Sequence, residues 1–404
     1  MSRKIIPFVV ALVLICLVMG VSGVFAYSGA VTAEKFGSQQ AWSQPYAGAE
    51  SMKVIDVTGD GQDDLFIQNT SNIAVFDGDG NVQFTFDYSS PKTTLGDVDG
   101  DGVEDIVVYY VGTGMSVDVI SKGQVRNLAQ TLNIGFPSRV AVIRFQSGPQ
   151  IVLGDNGGSL LSIGLDGQPL WNTALGLAEV RGMDDAKING QTFLAAATNN
   201  GVVRVIDEVG GTVWENSQET LRRMRAFDLD GDGNSEIITG GEFGAFFIYS
   251  APDGRILYND ALGQAISEVR EVELNGDPSS REIVAGGKDG GVWAFSFDGS
   301  NAQQIWSASM SDKVTEIAGI DVDGDGKEEA VLGDDSGGVA LFTGTGSRNN
   351  LPTHSTGITR IDVGKLSGER YVVIADGSEV DVDKVNFSSL PGFQYTPLVV
   401  GVIV

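Results

Sequence analysis

Four acidic loops hold the side chains of this sequence that are best suited to chemistry. In the segment AFDLDGDGNSEIITGG, Asp228, Asp230 and Asp232 occupy every second position, and the same spacing recurs in IDVTGDGQDDLFI, LGDVDGDGVEDIVV and GIDVDGDGKEEAVLG. Carboxylates so close together repel one another, and a divalent cation between them relieves the repulsion. Ca²⁺ accepts about six to eight oxygen ligands in tolerant geometry, whereas Mg²⁺ demands a near-octahedral shell. The spacing therefore predicts calcium-binding loops.

The four loops share one pattern of candidate ligands, at positions 1, 3, 5 and 9 from the first aspartate. A glycine follows position 5 in each loop, where the chain must turn sharply and favours a positive φ. Position 7 varies in residue type, which fits a ligand supplied by the backbone carbonyl. We predict about four Ca²⁺ sites, with positions 1, 3, 5, 7 and 9 occupied by Asp56, Thr58, Asp60, Gln62 and Asp64; by Asp97, Asp99, Asp101, Val103 and Asp105; by Asp228, Asp230, Asp232, Asn234 and Glu236; and by Asp321, Asp323, Asp325, Lys327 and Glu329.

Two other interpretations of these loops are weaker. Segments rich in Asp and Gly also form ordinary surface turns, but four copies at the same place in a repeat, each with an acid at position 9, favour metal binding. An EF-hand carries its bidentate glutamate at position 12 between helices, whereas strand-like sequence flanks these loops. The corresponding segments VIRFQSGPQIVLG and MDDAKINGQTFLAAA lack the ligand set, and VELNGDPSSREIVAGG has one residue too many before Glu282, so we expect no site in these three.

The loops belong to a repeating unit, whose closing glycines recur every 43 to 47 residues between Gly80 and Gly346. Each unit contains four short runs of β-branched and aromatic residues bounded by Gly, Asp or Asn, such as RRMRAF, EIITGG, AFFIYS and RILYND. Such runs predict β-strands, and four strands every ~40–45 residues are typical of a β-propeller blade. We therefore predict an all-β propeller over residues 40–386, with eight blades, or seven as the alternative.

Closure of the ring is predicted from the two ends of the repeat. The last unit, GITRIDVGKLSGERYVVIADGSEVDVDKV, lacks a clear fourth strand, whereas AWSQPY at residues 41–46 precedes the first unit and resembles the other aromatic fourth strands. We expect this N-terminal strand to complete the last blade, because closure removes exposed sheet edges. The C-terminal tail, residues 387–404, ends in an apolar run and is left unassigned.

The acidic loops and the strands after them, such as EIITGG and DIVVYY, resemble FG-GAP/VCBS repeats, the calcium-bearing blades of the integrin α-subunit N-terminal propeller and of many exported microbial proteins. The segment GGSLLSIGLDGQPLWNT also resembles blades of PQQ-type quinoprotein propellers. Together the resemblance covers about residues 40–385. It implies a propeller fold with bound calcium, and functions that range from adhesion, carbohydrate binding and scaffolding to polysaccharide cleavage.

Composition limits which classes of partner the protein can bind and indicates where it is located. Its 404 residues include 26 Lys and Arg against 53 Asp and Glu, a net charge of −27, which repels nucleic acid and anionic membrane surfaces. The only cysteine, Cys16, lies in the N-terminal apolar segment, and there is one histidine. This places Cys–His catalysis and Cys/His zinc sites out of reach, and we assign His354 no role. Residues 1–26 are typical of a signal peptide or an uncleaved membrane anchor. We expect a secreted or cell-surface protein that contacts the membrane only through this segment, if the segment is uncleaved.

Basic residues recur on the strand that precedes each loop. They lie three residues before the first ligand position, or at the matching or a nearby place in units without the ligand set: Lys53, Arg181, Arg225, Arg270 and Arg360. Facing the axis of a ring, they would form a positive channel for an anion such as an acidic sugar. We favour the alternative, in which acids such as Asp184 and Glu271 pair with them between blades.

These features lead to three functional hypotheses. The first is a calcium-stabilised, non-enzymatic and monomeric propeller outside the cell that binds a protein or carbohydrate ligand. The second is a polysaccharide-active enzyme, for instance a lyase, which needs a basic residue in an open cleft but no histidine. The third, a PQQ-dependent oxidoreductase, is the weakest, because the chain lacks the adjacent cysteines of several quinoprotein dehydrogenases. We expect no nucleic-acid partner.

Overall fold

Repeated short strands build the fold. The computed structural model describes residues 34–389 except residues 278, 279 and 367, with side chains from residue 38 to residue 385. Within that part of the chain there are 32 strands and no helix, as the runs of β-branched and aromatic residues predict. Nothing in these described residues is a helix of the length and apolar character needed to cross a membrane.

The strands form eight four-stranded sheets, which are the blades of a propeller. From the axis outwards, blades 1 to 4 consist of β2 (Ser51–Ile55), β3 (Asp64–Gln68), β4 (Asn72–Phe76) and β5 (Val82–Asp87); β6 (Lys92–Gly96), β7 (Asp105–Val111), β8 (Met115–Ser121) and β9 (Gln124–Leu132); β10 (Pro137–Phe145), β11 (Gly148–Asp155), β12 (Ser159–Ile163) and β13 (Pro169–Ala174); and β14 (Val180–Ile188), β15 (Gln191–Thr198), β16 (Val202–Ile206) and β17 (Thr212–Ser217). Blades 5 to 8 consist of β18 (Leu221–Phe227), β19 (Glu236–Gly241), β20 (Ala245–Ser250) and β21 (Ile256–Ala261); β22 (Ile266–Val272), β23 (Glu282–Gly287), β24 (Gly291–Phe297) and β25 (Ala302–Ser309); β26 (Val314–Ile320), β27 (Glu329–Asp334), β28 (Val339–Phe342) and β29 (Arg348–Asn350); and β30 (Arg360–Leu366), β31 (Glu369–Ala375), β32 (Glu379–Ser389) and β1 (Glu34–Pro45).

Each blade is an antiparallel meander, so its connections alternate between two ends. In blade 5, Phe227 of β18 pairs with Glu236 of β19, and Gly240 of β19 pairs with Phe246 of β20. The first-to-second connection, which holds the acidic loop, therefore lies at the same end as the third-to-fourth turn. We call this end the acidic face. The other end, with the second-to-third hairpins and the connections between blades, we call the hairpin face.

The second strand of a blade is buried on both sides, because each sheet packs between two neighbours. Every residue of β3, β19, β23 and β27 is buried, and apolar residues and glycine accordingly run through these strands almost without interruption. A fully buried side chain such as Leu65 or Ile238 contributes about 1.5–3 kcal/mol when it is removed from water. The fourth strands alternate in exposure, as in β13 and β17, because they form the rim.

The first strands of blades 3 to 7 contain a shift in register near their beginning. Pairing with the second strand shifts between Pro137 and Arg139, between Leu221 and Arg223, and at the matching places of β14, β22 and β26. An irregularity of this kind re-aims the side chains next to it. Because Arg139 and Arg223 directly follow the shift, it helps to determine where charged side chains lie near the axis.

Four tryptophans of the fourth strands connect neighbouring blades. Trp214 Nε1 donates a hydrogen bond to the carbonyl oxygen of Ala251 in the next blade at 2.6 Å. Each ring also packs on the glycine of the third-to-fourth turn in the next blade, so closely that a Cβ on that glycine would fall 2.7–3.0 Å from it: Trp42 on Gly80, Trp171 on Gly210, Trp214 on Gly254 and Trp306 on Gly346. These glycines have a positive φ, so both their backbone and their surroundings require glycine.

The N-terminal strand closes the ring, and the prediction of eight blades is confirmed. β1 pairs with β32 in the last blade, and it spans Glu34–Pro45, which is longer than the predicted residues 41–46. Gln40 Nε2 donates to Asp381 Oδ1 at 2.5 Å across this pairing. The only histidine, His354, has a side chain that is 9% exposed, with Nδ1 3.3 Å from Asp381 Oδ2.

Two predicted segments fall largely outside the part of the chain that the structure describes. The predicted signal or anchor segment, residues 1–26, precedes the first described residue, and residues 390–404 of the predicted tail follow the last one. Strand β32 itself continues to Ser389, a few residues beyond the predicted propeller boundary at residue 386.

Candidate functional site

The acidic loops connect the first and second strands of their blades, so all four lie on the acidic face. They join β2 to β3, β6 to β7, β18 to β19 and β26 to β27. In blades 3 and 4, which lack the ligand set, the same connection is a two-residue turn, at residues 146–147 and 189–190. Asn189 and Gly190 both have a positive φ, as short hairpin turns prefer. The connection is thus long where acids are present and short in these two blades.

Backbone amides bend each loop around its first aspartate. Asp97 accepts hydrogen bonds from the N–H groups of Gly100 at 2.7 Å and Gly102 at 3.1 Å. Asp56 and Asp321 accept equivalent bonds in their own loops. The glycine after position 5 has a φ of 82–87° in all four loops, which is the left-handed region that glycine adopts without strain. The loop thereby curls its acidic side chains around a common interior.

The acid at position 9 closes each loop from the second strand. One oxygen of Asp105 accepts the N–H of Val98 at 2.8 Å, and one oxygen of Glu236 accepts the N–H of Leu229 at 2.9 Å. The same bond is made in the other two loops by Asp64 and Glu329. One carboxylate oxygen is therefore used by the backbone, and the other remains available to an ion.

Three of the four loops bring acids together closely enough to share one ion. In each group, carboxylate oxygens of three residues lie within 4.8 Å of one another, about twice a typical Ca–O distance of about 2.4 Å. Thr58 replaces an acid in the first loop, which forms no three-acid group among the described residues. Asp101, Asp232 and Glu329 lie outside the groups that do form, which are Asp97, Asp99 and Asp105; Asp228, Asp230 and Glu236; and Asp321, Asp323 and Asp325.

Buried oxygens without a partner show that these loops fit a cation. Asp105 Oδ1 and Asp228 Oδ1 are buried, and neither has a hydrogen-bond partner among the described residues. A buried carboxylate oxygen without a partner is costly, and a Ca²⁺ ion would supply the missing interaction. Carboxylate and carbonyl oxygens are also the ligands that Ca²⁺ prefers. The side chains at positions 1, 3, 5 and 9 would hold the ion.

Burial and mutual repulsion raise the pKa values of the position-9 glutamates. The pKa of Glu236 rises to about 8, first through burial and then through the charges of Asp230, Asp232 and Asp228. The pKa of Glu329 rises to about 7 through burial and the aspartates of its own loop. Negative charge is therefore poorly solvated inside these loops, and a bound divalent ion would lower both pKa values.

At position 7 the side chains make other contacts. Asn234 Oδ1 accepts a hydrogen bond from the N–H of Asn189 in blade 4 at 2.7 Å, and Lys327 lies against Gly276 of blade 6. Their backbone carbonyls remain the candidate ligands. In the second loop, Lys122 Nζ lies 2.5 Å from an oxygen of the position-5 aspartate, so a lysine already neutralises the acid that lies outside the three-acid group.

The sixth loop repeats part of this arrangement although its spacing differs. The N–H of Gly276 donates to Glu273 and the N–H of Leu274 donates to Glu282, both at 2.8 Å, like the bonds at positions 1 and 9 of the other loops. Arg281 Nε lies 3.9 Å from a Glu273 oxygen, so a cationic side chain approaches this loop. It contains no three-acid group within the described part of the chain.

Charged side chains of the first strands, and of residues just before them, form a second feature, which we call the axial cluster. Four of the predicted basic residues form ion pairs here with acids of neighbouring blades, and the fifth, Arg181, pairs with an acid of its own blade. Two further arginines and all the acids were missed from the sequence. The members are Lys53, Arg139, Arg181, Arg223, Arg225, Arg270, Arg360, Glu179, Glu268, Glu316 and Asp362.

The close ion pairs of the axial cluster do not use the expected acids, Asp184 and Glu271. Glu268, Glu316 and Asp362 accept instead, with pairs of 2.7 Å to Arg223, 3.1 Å to Arg270 and 3.0 Å to Lys53. Asp184 accepts the backbone N–H of Ala226. The expectation named the wrong acids because Glu268 and Glu316, which directly follow the register shift, lie against the arginines of the preceding blade.

Arg139 is poorly neutralised within this cluster. Its Nε donates to the carbonyl oxygen of Arg181 at 3.0 Å, and another guanidinium nitrogen donates to the carbonyl oxygen of Ser138 at 2.8 Å. Burial, and then the charges of Arg223 and Arg181, lower its pKa to about 10. It was missed from the sequence because its blade has no acidic loop from which to count. The register shift that it follows, like the one before Arg223, depends on how two strands pair and leaves no signal in the sequence alone.

Comparison with known proteins agrees with the propeller fold. A sequence model of the family described as outer membrane protein assembly factor BamB, a PQQ-type repeat family, matches residues 199–394. No curated protein sequence matches the chain. The crystal structure of Sqt1 from Saccharomyces cerevisiae is similar, with a TM-score of 0.67 and 12% identity, over 88% of this chain and 100% of Sqt1.

Two further solved structures share the architecture. BamB from Moraxella catarrhalis has a TM-score of 0.61 and 13% identity, over 86% of this chain and 99% of that one. BBS1N, solved in complex with ARL6DN, has a TM-score of 0.56 and 12% identity, over 86% and 96%. At these identities the likeness concerns the fold alone. Together with the family match, it defines the chain as an eight-bladed β-propeller with PQQ-like blade character.

Proposed function

We propose that this chain is a calcium-binding propeller of the FG-GAP/VCBS kind, exported from the cell, that binds a protein partner and is not an enzyme. The observation that carries the proposal is the repeated convergence of three acids within 4.8 Å on one face of the ring. A calcium ion held there would join the first two strands of a blade. Because it binds only the folded loop, it would contribute about 2.7 kcal/mol per site at one hundred times its Kd.

Known propellers of similar shape support a protein partner. BBS1N was solved in complex with ARL6DN, and the BamB family is described as an outer membrane protein assembly factor. Export is supported by the basic start and apolar run within residues 1–26. A propeller held together by core packing and ions suits that location, because a chain with a single cysteine has no intramolecular disulfide to rigidify it.

The axial cluster favours binding over catalysis. A lyase on this scaffold needs a base whose pKa lies near the working pH. Lys53 Nζ already forms an ion pair with Asp362 at 3.0 Å. Arg139 has a lowered pKa of about 10, so it stays protonated near neutral pH. Neither residue is therefore placed to remove a proton from a substrate.

Calorimetric titration of the chelated full-length chain tests calcium binding. We expect about three to four ions per chain, with a Tm that rises on addition of Ca²⁺ and falls again with EDTA. Mg²⁺ is the control, because its stricter geometry predicts weaker binding. The absence of binding heat, together with a Tm that EDTA leaves unchanged, would contradict this half of the proposal.

Cross-linking in cells that make the protein tests whether it binds a protein partner. We expect a discrete protein adduct, more abundant with calcium than with chelator. A glycan array and an absorbance assay for cleavage of polyuronates accompany it. Glycan binding without a protein adduct would replace the proposed partner with a carbohydrate, and turnover of a polyuronate would establish the lyase alternative.

A further inference from the structure

Arginines gather where the first strands of blades 3, 4 and 5 begin, at the hairpin face. Arg139 is the third residue of β10, Arg181 the second of β14 and Arg223 the third of β18. The hydrogen bond from Arg139 Nε to the carbonyl oxygen of Arg181 joins two blades, and Arg225 follows two residues after Arg223. We call Arg139, Arg181, Arg223 and Arg225 the basic mouth.

The basic mouth carries more cations than acids. Arg139 bonds to backbone carbonyl oxygens, and Arg225 Nε is buried without a hydrogen-bond partner among the described residues. Its four guanidinium groups share two carboxylates in ion pairs: Glu179, 3.1 Å from Arg181, and Glu268, which is 2.7 Å from Arg223 and 3.8 Å from Arg225. The charge of a third acid, Asp184, also acts on Arg225, so four cations face three acids here.

The other side of the axial cluster is more nearly balanced. Arg270 lies 3.1 Å from Glu316, Lys53 lies 3.0 Å from Asp362, and Arg360 shares Glu316 at 3.9 Å. Every cation there has a carboxylate partner. Within the axial cluster, the cation that has no ion pair among the described residues, Arg139, thus lies in the basic mouth, in a chain whose net charge is −27. An anionic group at the basic mouth would be attracted and would relieve the repulsion among its arginines.

Exposed apolar side chains accompany the basic mouth on the same face. Phe136, Leu177 and Phe243 are 60%, 98% and 74% exposed. Phe136 and Leu177 precede Arg139 and Arg181 by three and four residues, so even an extended chain keeps each pair within about 14 Å. The hairpin of Phe243 is tied to β18 by an ion pair. Cationic and apolar groups at blades 3 to 5 therefore share the hairpin face.

We infer that the basic mouth binds an acidic segment of a protein partner, whose apolar side chains pack on Phe136, Leu177 and Phe243. Arginine and aromatic residues are enriched at the energetic centres of protein interfaces, and exposed apolar groups rimmed by charge mark such surfaces. An acidic sugar or a phosphate ion would satisfy the arginines but would leave the three apolar side chains uncovered. The inference rests on the proposed function and specifies the chemistry of its partner.

Selection of random displayed peptides on the immobilised full-length chain tests the inference. We expect selected peptides to combine Asp or Glu with large apolar residues. Titration of these peptides should show binding about tenfold or more weaker for Arg139→Gln and for Leu177→Ser. Arg255→Gln and Val209→Ser make the same chemical changes at exposed positions of the acidic face, and they should leave the Kd unchanged.

The melting temperature of each variant checks its fold. Leu177 is 98% exposed, so its replacement removes no packing and remains decisive if Arg139→Gln unfolds. Selection of neutral or basic peptides, failure to select any, or an equal Kd in all variants would overturn the inference. In those cases the in-cell adduct would still decide the proposed function. Binding of oligogalacturonate or inorganic phosphate that depends on Arg139 but not on Leu177 would show a small-anion site instead.

Discussion

At the scale of single residues, the position-9 acids hold their loop closed and would also bind the proposed ion. One oxygen of Asp105 accepts the N–H of Val98, while its other oxygen is buried and has no hydrogen-bond partner among the described residues. This double use would explain why an acid is present at position 9 in all four loops, whereas position 3 admits Thr58 and position 7 varies in residue type.

Glu236→Gln should remove one calcium ion and leave the fold intact. The amide oxygen can still accept the N–H of Leu229, but the charge that attracts the ion is lost. We expect the calorimetric stoichiometry to fall by one, with a loss of about 2.7 kcal/mol of calcium-dependent stability at one hundred times Kd. Glu215→Gln, at a side chain that is 41% exposed, is the control. A full complement of ions in Glu236→Gln would refute the assignment.

Glu268→Gln should destabilise the ring near pH 7 and much less in acid. Burial opposes its ionisation, but Arg223, Arg270 and Arg225 together lower its pKa below the usual 4.5. A carboxyl whose pKa is lowered by folding contributes stability above its unfolded pKa and loses it as the pH falls towards the folded pKa. Urea unfolding should show a loss of about 3–5 kcal/mol near neutrality, which shrinks below pH 4.5.

The control for this comparison is an exposed ion pair. Asp253 and Arg255 have side chains that are 59% and 68% exposed and lie 3.9 Å apart. Asp253→Asn should cost about 0–1 kcal/mol. If Glu268→Gln lost as much stability at pH 3 as at pH 7, the ion pairs of Glu268 would not be the source of its contribution.

At the scale of the blade, a fourth-strand tryptophan and the glycine turn of the next blade form one unit. The sequence shows both parts, as an aromatic strand and a closing glycine, but not their contact. Trp214 and its acceptor Ala251 are separated by 37 residues and belong to different sheets. The contact is therefore a property of neighbouring repeats and not of either repeat alone.

Gly254→Ala should cost more than Gly263→Ala. Both glycines have a positive φ, +70° and +77°, but a Cβ at Gly254 would fall 2.7 Å from the Trp214 ring, whereas a Cβ at Gly263 would meet no atom of the described residues within 4 Å. We expect urea unfolding to show a loss of about 1–2 kcal/mol from backbone strain at Gly263. Overpacking should add about 1–3 kcal/mol at Gly254. Equal losses would mean that the tryptophan moves aside without cost.

Strands, blade number and ring closure could be predicted from the sequence because each follows from local pattern and repetition. The register shifts could not, since they depend on how two strands pair. They decide that Glu268 and Glu316, and not Glu271, meet the arginines, and they position the missed Arg139. The calcium ligands were named from spacing within single loops and stay a prediction. The axial cluster assembles from strands far apart in the chain.

At the scale of the whole molecule, the ring joins the two ends of the described chain. Gln40 bonds to Asp381 across 341 residues, and Lys53 of the first blade pairs with Asp362 of the last. One apolar core cluster also combines residues of blades 1 and 8. Strand β1 is therefore the element on which closure of the last blade depends.

Deletion of residues 1–45 should leave β32 as an unpaired edge. We expect a lower Tm and aggregation by light scattering, because an exposed edge strand pairs with other chains. A chain that starts at residue 34 is the control. A synthetic peptide of residues 34–45 should restore the Tm. The same peptide with Trp42→Ala should bind less tightly, by about 3 kcal/mol of binding free energy, because Trp42 packs on Gly80. A deletion variant that melts like the control would argue against this role of β1.

Ring closure also imposes an order on biosynthesis. Blades 1 to 7 take their strands from consecutive stretches of chain, so each can form as it leaves the ribosome. The eighth blade cannot, because among the described strands β1 is translated first and β32 last. Strand β1 therefore stays unpaired until β32 has been synthesised. A nonsense mutation anywhere before residue 379 removes β32, which is the partner of β1. Truncation at the C-terminus therefore removes a strand of the last blade and also prevents closure of the ring.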